Sequence, residues 1–337
     1  MKMILTGDVN LMNVADPAVP FRKIAGDLNA ADVLFGNLEC CLHLPPGPQS
    51  LAREGFFADP RTGGEALRLG GFHAVGIANN VNYGAANIMA SIARLDAIGV
   101  LHTAARAPAI AKRNGLCAGF VQRSSVYWPT DHEAHDDAPG IAVIRGHTAY
   151  QVPTGRLHAG IPPANRPGVP PVIVTWADPD YLADFRKDVE ALRPQVDILV
   201  ASCHWGLGRE PLAYMTEIAR AAIDTGADVV IGHGPHYPLP IEIYRGRPIC
   251  YGLGNLSFTT GHGGRKHESW IGLVIELVLG ERSERTFTLR FVRHNDANET
   301  VFRLPADENG TLADLTARSA KLGAKLVSDG DCIHIAL

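Results

Sequence analysis

The chain has 337 residues, of which 46% are apolar, and its formal net charge is −4. This length and composition support a large buried core, in one elaborated domain or in two small ones. The small negative charge gives no electrostatic basis for binding nucleic acid. No apolar run approaches the about 18 residues that a membrane-spanning helix needs, so we expect no membrane partner.

Histidine and cysteine content both bear on metal chemistry. The chain has 14 histidines, which is a high count for its length and justifies a search for a metal site. None of its six cysteines forms a Cys-x-x-Cys pair, which argues against thiolate zinc sites. The sequence begins directly as a strand without a signal-peptide region, so we expect a cytoplasmic protein with reduced thiols.

The first two predicted strands each end in a carboxylate. The strand over 3–9 ends in Asp8, and Asn10 follows two positions later on the same face of the extended segment. This pair suits a metal site, although Gly, Asp and Asn are also turn residues. The strand over 33–39 ends in Glu39, whose burial is costly unless the carboxylate is paired or binds a cation.

Helices alternate with strands through the first hundred residues. Apolar spacing predicts helices over 20–31, 65–69 and 86–98 and further strands over 73–78 and 100–103. This alternation predicts an α/β fold with parallel strand pairs and helices on the faces of the sheet.

Three asparagines surround the end of the third strand. Asn79, Asn80 and Asn82 fit the chemistry of a turn. Their amides could also supply oxygen atoms to a metal or hydrogen bonds to a bound oxyanion. The sequence leaves both interpretations open.

Residues 124–171 interrupt the regular pattern. The segment is rich in Pro, Gly, His and Asp, and so long a structureless loop inside a compact domain is uncommon and often functional. We expect an insertion that covers the site, either as a lid or as an oligomer contact, and a homo-oligomer stays open. Four histidines of this insertion are secondary ligand candidates: His132, His135, His147 and His158.

Three histidines follow strands in the second half of the chain. His204 comes after a predicted strand over 197–203, and His233 and His236 leave the next strand on a Gly-His-Gly-Pro-His turn. Glycine lets the backbone approach a ligand closely, and proline fixes the turn. Ligands of α/β sheets lie outside the carboxyl ends of the strands, where these histidines stand.

The remaining predicted elements alternate and then become mainly strands. They are strands over 172–175, 228–231, 241–244, 248–251, 274–278, 286–292, 300–304 and 332–335 and helices over 178–192, 214–225 and 312–322. No linker clearly divides the chain. We therefore expect a single domain over 1–337 that carries the insertion.

The strand-end residues together form a mixed oxygen and nitrogen ligand set without thiolates. Such a set suits Mn, Fe or Zn. Seven candidates are too many for one tetrahedral site but fit two divalent ions bridged by a carboxylate. Two ions about 3.5–4 Å apart can generate a hydroxide nucleophile and stabilise negative charge. The seven are Asp8, Asn10, Glu39, Asn80, His204, His233 and His236.

The order and spacing of these segments resemble the bacterial poly-γ-glutamate capsule-synthesis (CapA-type) family, within the calcineurin-like metallophosphoesterase superfamily. Each matching motif is weak alone, but six occur in order between residues 7 and 255. They are Gly7-Asp8-Val9, Asn37-Leu38-Glu39, Ala78-Asn79-Asn80, His204-Trp205-Gly206, the segment from Ala222 to His236, and Gly252-Leu253-Gly254-Asn255.

The resemblance implies a fold and a division of the ligands. It implies a sandwich of two mixed β-sheets flanked by helices, with a dinuclear site between the sheet edges. By this resemblance Asp8 and His236 would hold the first metal. Asn80, His204 and His233 would hold the second, and Glu39 would bridge the two.

The sequence departs from the family pattern at three positions. Asn10 stands where the family usually has an apolar residue, and Gly234 replaces a histidine of the turn. Val81 replaces the histidine that helps to protonate the leaving group in the phosphoesterases. Another group would then have to act as the acid, and the candidates are Tyr83, Glu210, His262 and His267.

We expect a cytoplasmic dinuclear hydrolase in which a metal-bound hydroxide attacks a small anionic amide, peptide-like or ester substrate. His204 would serve both as a ligand and in catalysis. A Gly-rich basic loop over 261–267 could place Arg265, Lys266 or His267 on the anionic substrate. Two alternatives remain, a phosphoesterase and a non-catalytic polyglutamate or capsule-related binding protein.

Overall fold

Two mixed β-sheets form the centre of the fold. The computed structural model describes residues 1–44, 57–103, 106–151, 170–258, 269–280 and 285–336. The strands within these residues are β1 (Lys2–Asn10), β2 (Val33–Leu38), β3 (Ala74–Gly76), β4 (Leu101–Thr103), β5 (Ala109–Arg113), β6 (Leu116–Ser124), β7 (Gly146–Gln151), β8 (Val172–Ala177), β9 (Ile198–His204), β10 (Val229–His233), β11 (Ile241–Tyr244), β12 (Arg247–Cys250), β13 (Asn255–Phe258), β14 (Gly272–Leu279), β15 (Arg285–His294), β16 (Thr300–Arg303), β17 (Lys325–Asp329) and β18 (Cys332–Ala336).

Helices connect several of these strands. The α-helices of the described residues are α1 (Ala25–Asn29), α2 (Pro60–Leu69), α3 (Ala85–Ala97), α4 (Pro179–Leu192), α5 (Ala213–Asp224) and α6 (Asn309–Ala320). Two of them begin at an aspartate followed by proline. Asp59 and Asp178 accept hydrogen bonds from the first free amides of α2 and α4, and proline fits the first helical position.

The sheets combine parallel centres with antiparallel edges. The larger sheet has the order β17-β18-β15-β14-β1-β2-β3-β4, with β13 paired to β1 and β16 to β15. Its strands β1 to β4 run parallel to one another. The smaller sheet has the order β11-β12-β10-β9-β6-β5, and β6, β9, β10 and β12 are parallel. Parallel strands place their carboxyl ends at one edge, which is where a site can form.

Alternating side chains divide the apolar interior into an inner core and two outer cores. Met3 and Leu5 of β1 lie in the inner core between the two sheets, whereas Ile4 lies in an outer core with α2 and α3. The rings of Phe35 and Phe120 stack between the sheets, with centroids 4.4 Å apart. A second outer core joins the smaller sheet to α4 and α5. The layers confirm the predicted α/β sandwich of mixed sheets flanked by helices.

The predicted helix over 20–31 is wrong in its first half. Turns occupy this stretch until α1, which spans only Ala25–Asn29. The carbonyl of Pro20 accepts a hydrogen bond from the amide of Thr300, so it does not begin a helical ladder. Phe21 is nevertheless buried, because the turns keep the apolar side chains on one face.

One strand of the insertion, β7, forms a separate two-stranded ribbon with β8, which directly follows the insertion. β7 and β8 pair antiparallel, from Gly146 opposite Ala177 to Gln151 opposite Val172. The ribbon exposes large apolar side chains, which include Tyr150 and Ile173. Residues 152–169, with the candidate His158, lie outside the described residues. The single-domain assignment and the role of the insertion stay predictions.

Within the described ranges, the helices fall short of the length and apolar content that a membrane-spanning helix requires.

Candidate metal centre

All seven predicted ligands lie at or shortly after the carboxyl ends of five strands, and Asn10 is the last residue of β1. Asp8 is near the end of β1, and Glu39 directly follows β2. His204 and His233 are the last residues of β9 and β10, which lie side by side in register. Asn80 follows β3 by four residues, and His236 follows β10 by three. The candidate ligand atoms of Asp8, Glu39 and His236 lie within 4.8 Å of one another.

Two glycines let the backbone segments of the site approach each other. A Cβ atom on Gly7 would lie 2.0 Å from the carbonyl oxygen of Gly254, so a side chain does not fit there. Gly234 has a φ of +106°, and a Cβ atom there would lie 2.8 Å from the carbonyl oxygen of Trp205 and 3.2 Å from Nε2 of His204. The glycine that departs from the family turn therefore leaves room around a candidate ligand.

Each of the three imidazoles is held through its Nδ1 atom. Nδ1 of His233 lies 3.1 Å from Oδ1 of Asp8, and Nδ1 of His236 lies 3.1 Å from Oδ2 of the same carboxylate. An ionised carboxylate only accepts hydrogen bonds, so both Nδ1 atoms carry protons. Nδ1 of His204 lies 3.2 Å from Oγ of Ser124, which donates its own proton to the carbonyl of Val126. Nδ1 of His204 is therefore also protonated and donates to Ser124.

This arrangement leaves Nε2 of His204 and Nε2 of His236 facing the carboxylate of Glu39. Nε2 of His204 and Nε2 of His236 each lie 3.6 Å from Oε1 of Glu39. Three buried acceptor atoms of the site make no hydrogen bond within the described residues, namely Nε2 of His204, Nε2 of His233 and Oε2 of Glu39. Buried polar atoms are nearly always satisfied, so these three call for a ligand. Imidazole nitrogen and carboxylate oxygen are donor atoms that divalent metals accept.

The protonation of these groups reflects their burial and their mutual contacts. Burial alone would raise the pKa of Asp8, but hydrogen bonds from His233 and His236 hold that pKa well below its usual value. Burial, reinforced by the charge of Asp8, raises the pKa of Glu39 to about 8. Burial opposes the charged form of His236, but the charge of Glu39 and the contact with Asp8 raise its pKa to about 9. A cation bound here would displace protons that this pair holds.

His204 differs from His236 in its protonation. Burial lowers the pKa of His204 to about 4, so its ring is neutral at physiological pH. A neutral imidazole with a protonated Nδ1 has its lone pair on Nε2. This is the form in which histidine binds a metal.

Buried side-chain amides form a hydrogen-bond network beside the candidate ligands. Asn37 donates to Oδ1 of Asp8 (2.9 Å), and its own oxygen accepts from Asn79 and Gln122 (3.0 Å each). Asn79 also donates to the carbonyl of Leu38, one residue before Glu39. The amides thus join the ends of β1, β2 and β3 into one network. Polar groups that orient metal ligands in this way strongly affect metal affinity.

Asn10 occupies a different place in this network. Its Nδ2 donates to the backbone carbonyl of Glu39 (3.1 Å), and its Oδ1 accepts from the amide of Met12 (2.8 Å). Both polar ends of the amide are therefore engaged by backbone. In this structure Asn10 fixes the backbone beside Glu39 and does not join the other candidate ligands.

The insertion holds the turn that carries Asn80. The indole Nε1 of Trp128 donates to the carbonyl of Asn80 (2.9 Å). Nε2 of His132 lies 3.2 Å and 3.1 Å from the carbonyls of Asn79 and Asn82, and its Nδ1 accepts from the amide of Trp128. We call Trp128 and His132 the insertion clamp. Both ring nitrogens of His132 are occupied, so it serves the turn and not a metal.

The candidate acids lie in separate places. Tyr83 packs edge-on against the rings of Trp128 and His132, next to the Asn80 turn. Glu210 is exposed and pairs with Arg318 at 3.3 Å, and the described residues give it no contact with the candidate ligands. His262 and His267 lie outside the described residues, as does the basic loop that contains them.

Val81 and the other insertion histidines do not extend the ligand set. Val81 is fully buried in the outer core with α3, so an aliphatic side chain fills the position of the family histidine. His147 pairs with Asp178 at 2.9 Å, at the start of α4. His135 belongs to a tight loop that closes on Ala138.

Several residues of the site are absent from the sequence-based candidates. Ser124 forms a hydrogen bond with His204. Asn37 donates to Asp8, and Gln122 donates to Asn37. Oδ1 of Asn255 lies 3.0 Å from Nδ1 of His236. Asn255 belongs to the Gly-Leu-Gly-Asn motif, so its position after a glycine turn could have suggested a role. Ser124 and Gln122 carry no such signal, because their importance depends on how β6 pairs with β9.

Comparisons with known proteins identify the family of the chain. The family profile described as "Bacterial capsule synthesis protein PGA_cap" matches residues 2–260, a range that includes every candidate ligand. The PGA biosynthesis protein CapA of Bacillus subtilis is 39% identical over 99 residues, which are 29% of this chain and 24% of that protein. A probable polyglutamine synthesis accessory protein of Mycobacterium tuberculosis is 30% identical over 198 residues, which are 55% of this chain and 44% of that protein.

The capsule biosynthesis protein CapA of Bacillus anthracis is 32% identical over 87 residues, which are 25% of this chain and 21% of that protein. The matches thus span less than half of the length of each of these three relatives. The profile, in contrast, matches well over half of the present chain. The chain therefore belongs to the PGA_cap family of bacterial capsule synthesis proteins.

Proposed function

We propose that the chain is a dinuclear metal-dependent hydrolase with a capsule-related role. The observation that carries this proposal is a set of three buried acceptor atoms, on Glu39, His204 and His233, for which the described residues supply no hydrogen-bond partner. An apolar or purely structural site would leave them unsatisfied, at a cost of about 1–3 kcal/mol each. Divalent cations would satisfy all three together.

Each candidate ligand has a defined task in this proposal. Asp8 and His236 would hold the first ion, while His204 and His233 would hold the second together with Asn80. Glu39 would hold both ions. Two divalent ions about 3.5–4 Å apart supply a water nucleophile at neutral pH and neutralise negative charge on the group under attack. Asp8 also fixes the tautomers of His233 and His236, and Ser124 fixes that of His204.

We propose a small anionic amide, peptide-like or ester substrate. Two of the relatives carry names that refer to the synthesis of PGA and polyglutamine. Both polymers are joined by amide bonds, and poly-γ-glutamate also carries carboxylates. The burial of Val81 also removes the acid that phosphoesterases use. All six cysteines are unpaired thiols, which agrees with the proposed cytoplasmic location.

A second candidate is a binding protein that keeps the metal centre without turnover. The same observation at Val81 favours it, because general acid catalysis typically contributes about 10²–10⁴-fold to a rate. Tyr83 is the remaining described candidate for the acid, and it lies beside the Asn80 turn. A plain phosphoesterase would need the same replacement.

One screen separates these functions. The protein, loaded in turn with Mn²⁺, Fe²⁺ and Zn²⁺, is assayed on γ-glutamyl-p-nitroanilide and on bis(p-nitrophenyl) phosphate. We expect metal-dependent hydrolysis of the anilide, abolished by His204→Ala and retained by His334→Ala, an exposed histidine of β18. Hydrolysis of the phosphodiester alone would instead indicate a phosphoesterase. Metal binding without turnover of either would favour the binding protein.

A further inference from the structure

One buried polar atom beside the centre is a donor and cannot be satisfied by a metal. Nδ2 of Asn255 is buried and has no hydrogen-bond partner within the described residues. The three other unpartnered atoms of the centre are acceptors, which a cation can bind. An amide nitrogen carries two protons and offers no lone pair, so it requires an acceptor.

The neighbouring groups fix which end of the Asn255 amide points away from His236. Asp8 accepts the proton on Nδ1 of His236, and Oδ1 of Asn255 lies 3.0 Å from the same Nδ1. If the amide were reversed, its NH₂ group would face an N–H donor. The oxygen therefore faces the ring, and Nδ2 is directed elsewhere.

The backbone holds Asn255 firmly in this place. Asn255 opens β13 and pairs directly with Asp8 of β1. A Cβ atom on Gly272 would lie 1.9 Å from the carbonyl oxygen of Asn255, so β14 packs closely against it. The side chain is fully buried and cannot turn to solvent to satisfy its donor.

We infer that Nδ2 of Asn255 donates a hydrogen bond to an oxygen of the substrate group that is attacked at the centre. This inference rests on the proposed function, because the acceptor must lie beside His236. An oxygen that gains negative charge during hydrolysis is the acceptor that such a fixed donor stabilises best. Removal of one comparable donor from other hydrolases slows kcat by about 10²–10³-fold.

Two substitutions separate the donor from the contact with His236. Asn255→Asp keeps an oxygen for Nδ1 of His236 and removes the donor. Asn255→Ala removes both without adding charge. The same changes at Asn309, an exposed residue at the start of α6, provide matched controls.

The readout is binding of inorganic phosphate to the Mn²⁺-loaded protein, measured by calorimetry, with metal content determined for each variant. We expect both Asn255 variants to retain metal and to bind phosphate at least about tenfold more weakly, and both Asn309 variants to match the unchanged protein. Unchanged phosphate affinity in Asn255→Ala would overturn the inference, even if Asn255→Asp binds more weakly through charge repulsion.

Different results would contradict the proposed function and the role of Asn255. Absence of bound metal in the unchanged protein would contradict the proposed function. Normal metal binding together with normal phosphate affinity in Asn255→Ala would contradict only the role of Asn255. If Asn255→Ala loses metal, Asn255→Asp decides, and phosphate affinity within twofold of the unchanged protein contradicts the inference.

Discussion

Single hydrogen bonds decide which nitrogen each histidine presents at the centre. Oγ of Ser124 accepts a hydrogen bond from Nδ1 of His204, because the Ser124 hydroxyl donates its own hydrogen bond to the carbonyl of Val126. Without that acceptor, His204 could rotate or exchange tautomers. The free Nε2 lone pair would then be present for only part of the time.

Ser124→Ala should therefore weaken metal binding without removing a ligand. We expect about 10–100-fold lower affinity for Mn²⁺ at the second position, measured by calorimetric titration. Ser202→Ala is the matched control, because Ser202 lies in the same strand as His204, is equally buried and has a hydroxyl without a hydrogen-bond partner among the described residues. Equal affinities in the two variants would show that Ser124 does not orient His204.

The sequence predicts most of the candidate ligands but not the residues that orient them through hydrogen bonds. Asp8, Glu39 and His204 are recognisable because metal-type residues follow apolar strands. Asn10 has the same pattern, yet its amide is engaged by backbone on both sides. Sequence spacing does not distinguish these outcomes, because they depend on which backbone groups lie nearby after folding.

The insertion acts on the centre as a structural element through the insertion clamp. Trp128 and His132 bind three carbonyls of the Asn79–Asn82 turn. These hydrogen bonds hold the backbone of the turn that carries Asn80. Pro, Gly and His content indicated an insertion near the site, but its contact with this turn could not be predicted from composition.

Trp128→Phe tests the insertion clamp. The phenyl ring preserves an aromatic contact with Tyr83, but the hydrogen bond from the indole to the carbonyl of Asn80 is lost. We expect a stability loss of about 1–3 kcal/mol in urea denaturation and weaker binding of the second metal. Trp176→Phe, on the half-exposed face of the ribbon, serves as control. Lower stability with unchanged metal affinity would mean that the clamp does not position Asn80.

His132 should also make the fold sensitive to acid. Burial lowers its pKa to about 4, and the charge of His204 lowers it further, against the two carbonyl contacts. The unfolded chain binds this proton more readily than the folded chain, so stability is complete above about pH 6.5 and is lost as the pH falls towards 4. The difference amounts to at most about 3 kcal/mol.

His132→Gln removes this titration. We expect urea denaturation at pH 7.5 and pH 5 to show a smaller loss of stability on acidification than in the unchanged protein. Part of the loss should persist, because His204 has a similarly lowered pKa. An equal loss in both proteins would contradict the assignment.

Element boundaries were predictable where local patterns agree with tertiary pairing. The helix over 178–192 closely matches α4, since Asp178 and Pro179 mark its start. The sequence does not predict β7 or β13. Both depend on distant partners, since β7 pairs with β8 and β13 with β1.

At the scale of the whole molecule, the two sheets must hold their strand ends in fixed relation. Asp8 and Glu39 come from the larger sheet, whereas His204 and His233 come from the smaller one. The stacked rings of Phe35 and Phe120 join the sheets in the inner core. The geometry of the centre therefore depends on the packing of this core.

Phe120→Ala should destabilise the molecule as a whole. We expect a loss of about 3–5 kcal/mol in the free energy of unfolding, from the lost burial and the cavity between the sheets. Tyr150→Ala, on the exposed ribbon, should change stability by no more than about 0.5 kcal/mol. Urea denaturation of both variants provides the comparison, and similar values would contradict the assignment of the inner core.

Metal content tests the central claim most directly. The protein is loaded with Mn²⁺, dialysed and analysed by plasma mass spectrometry, beside His204→Ala, Asp8→Ala and the exposed control His334→Ala. We predict two divalent ions for each chain in the unchanged protein and the control, and fewer in both site variants. A protein that retains no divalent ion, or site variants that retain the full number, would contradict the account.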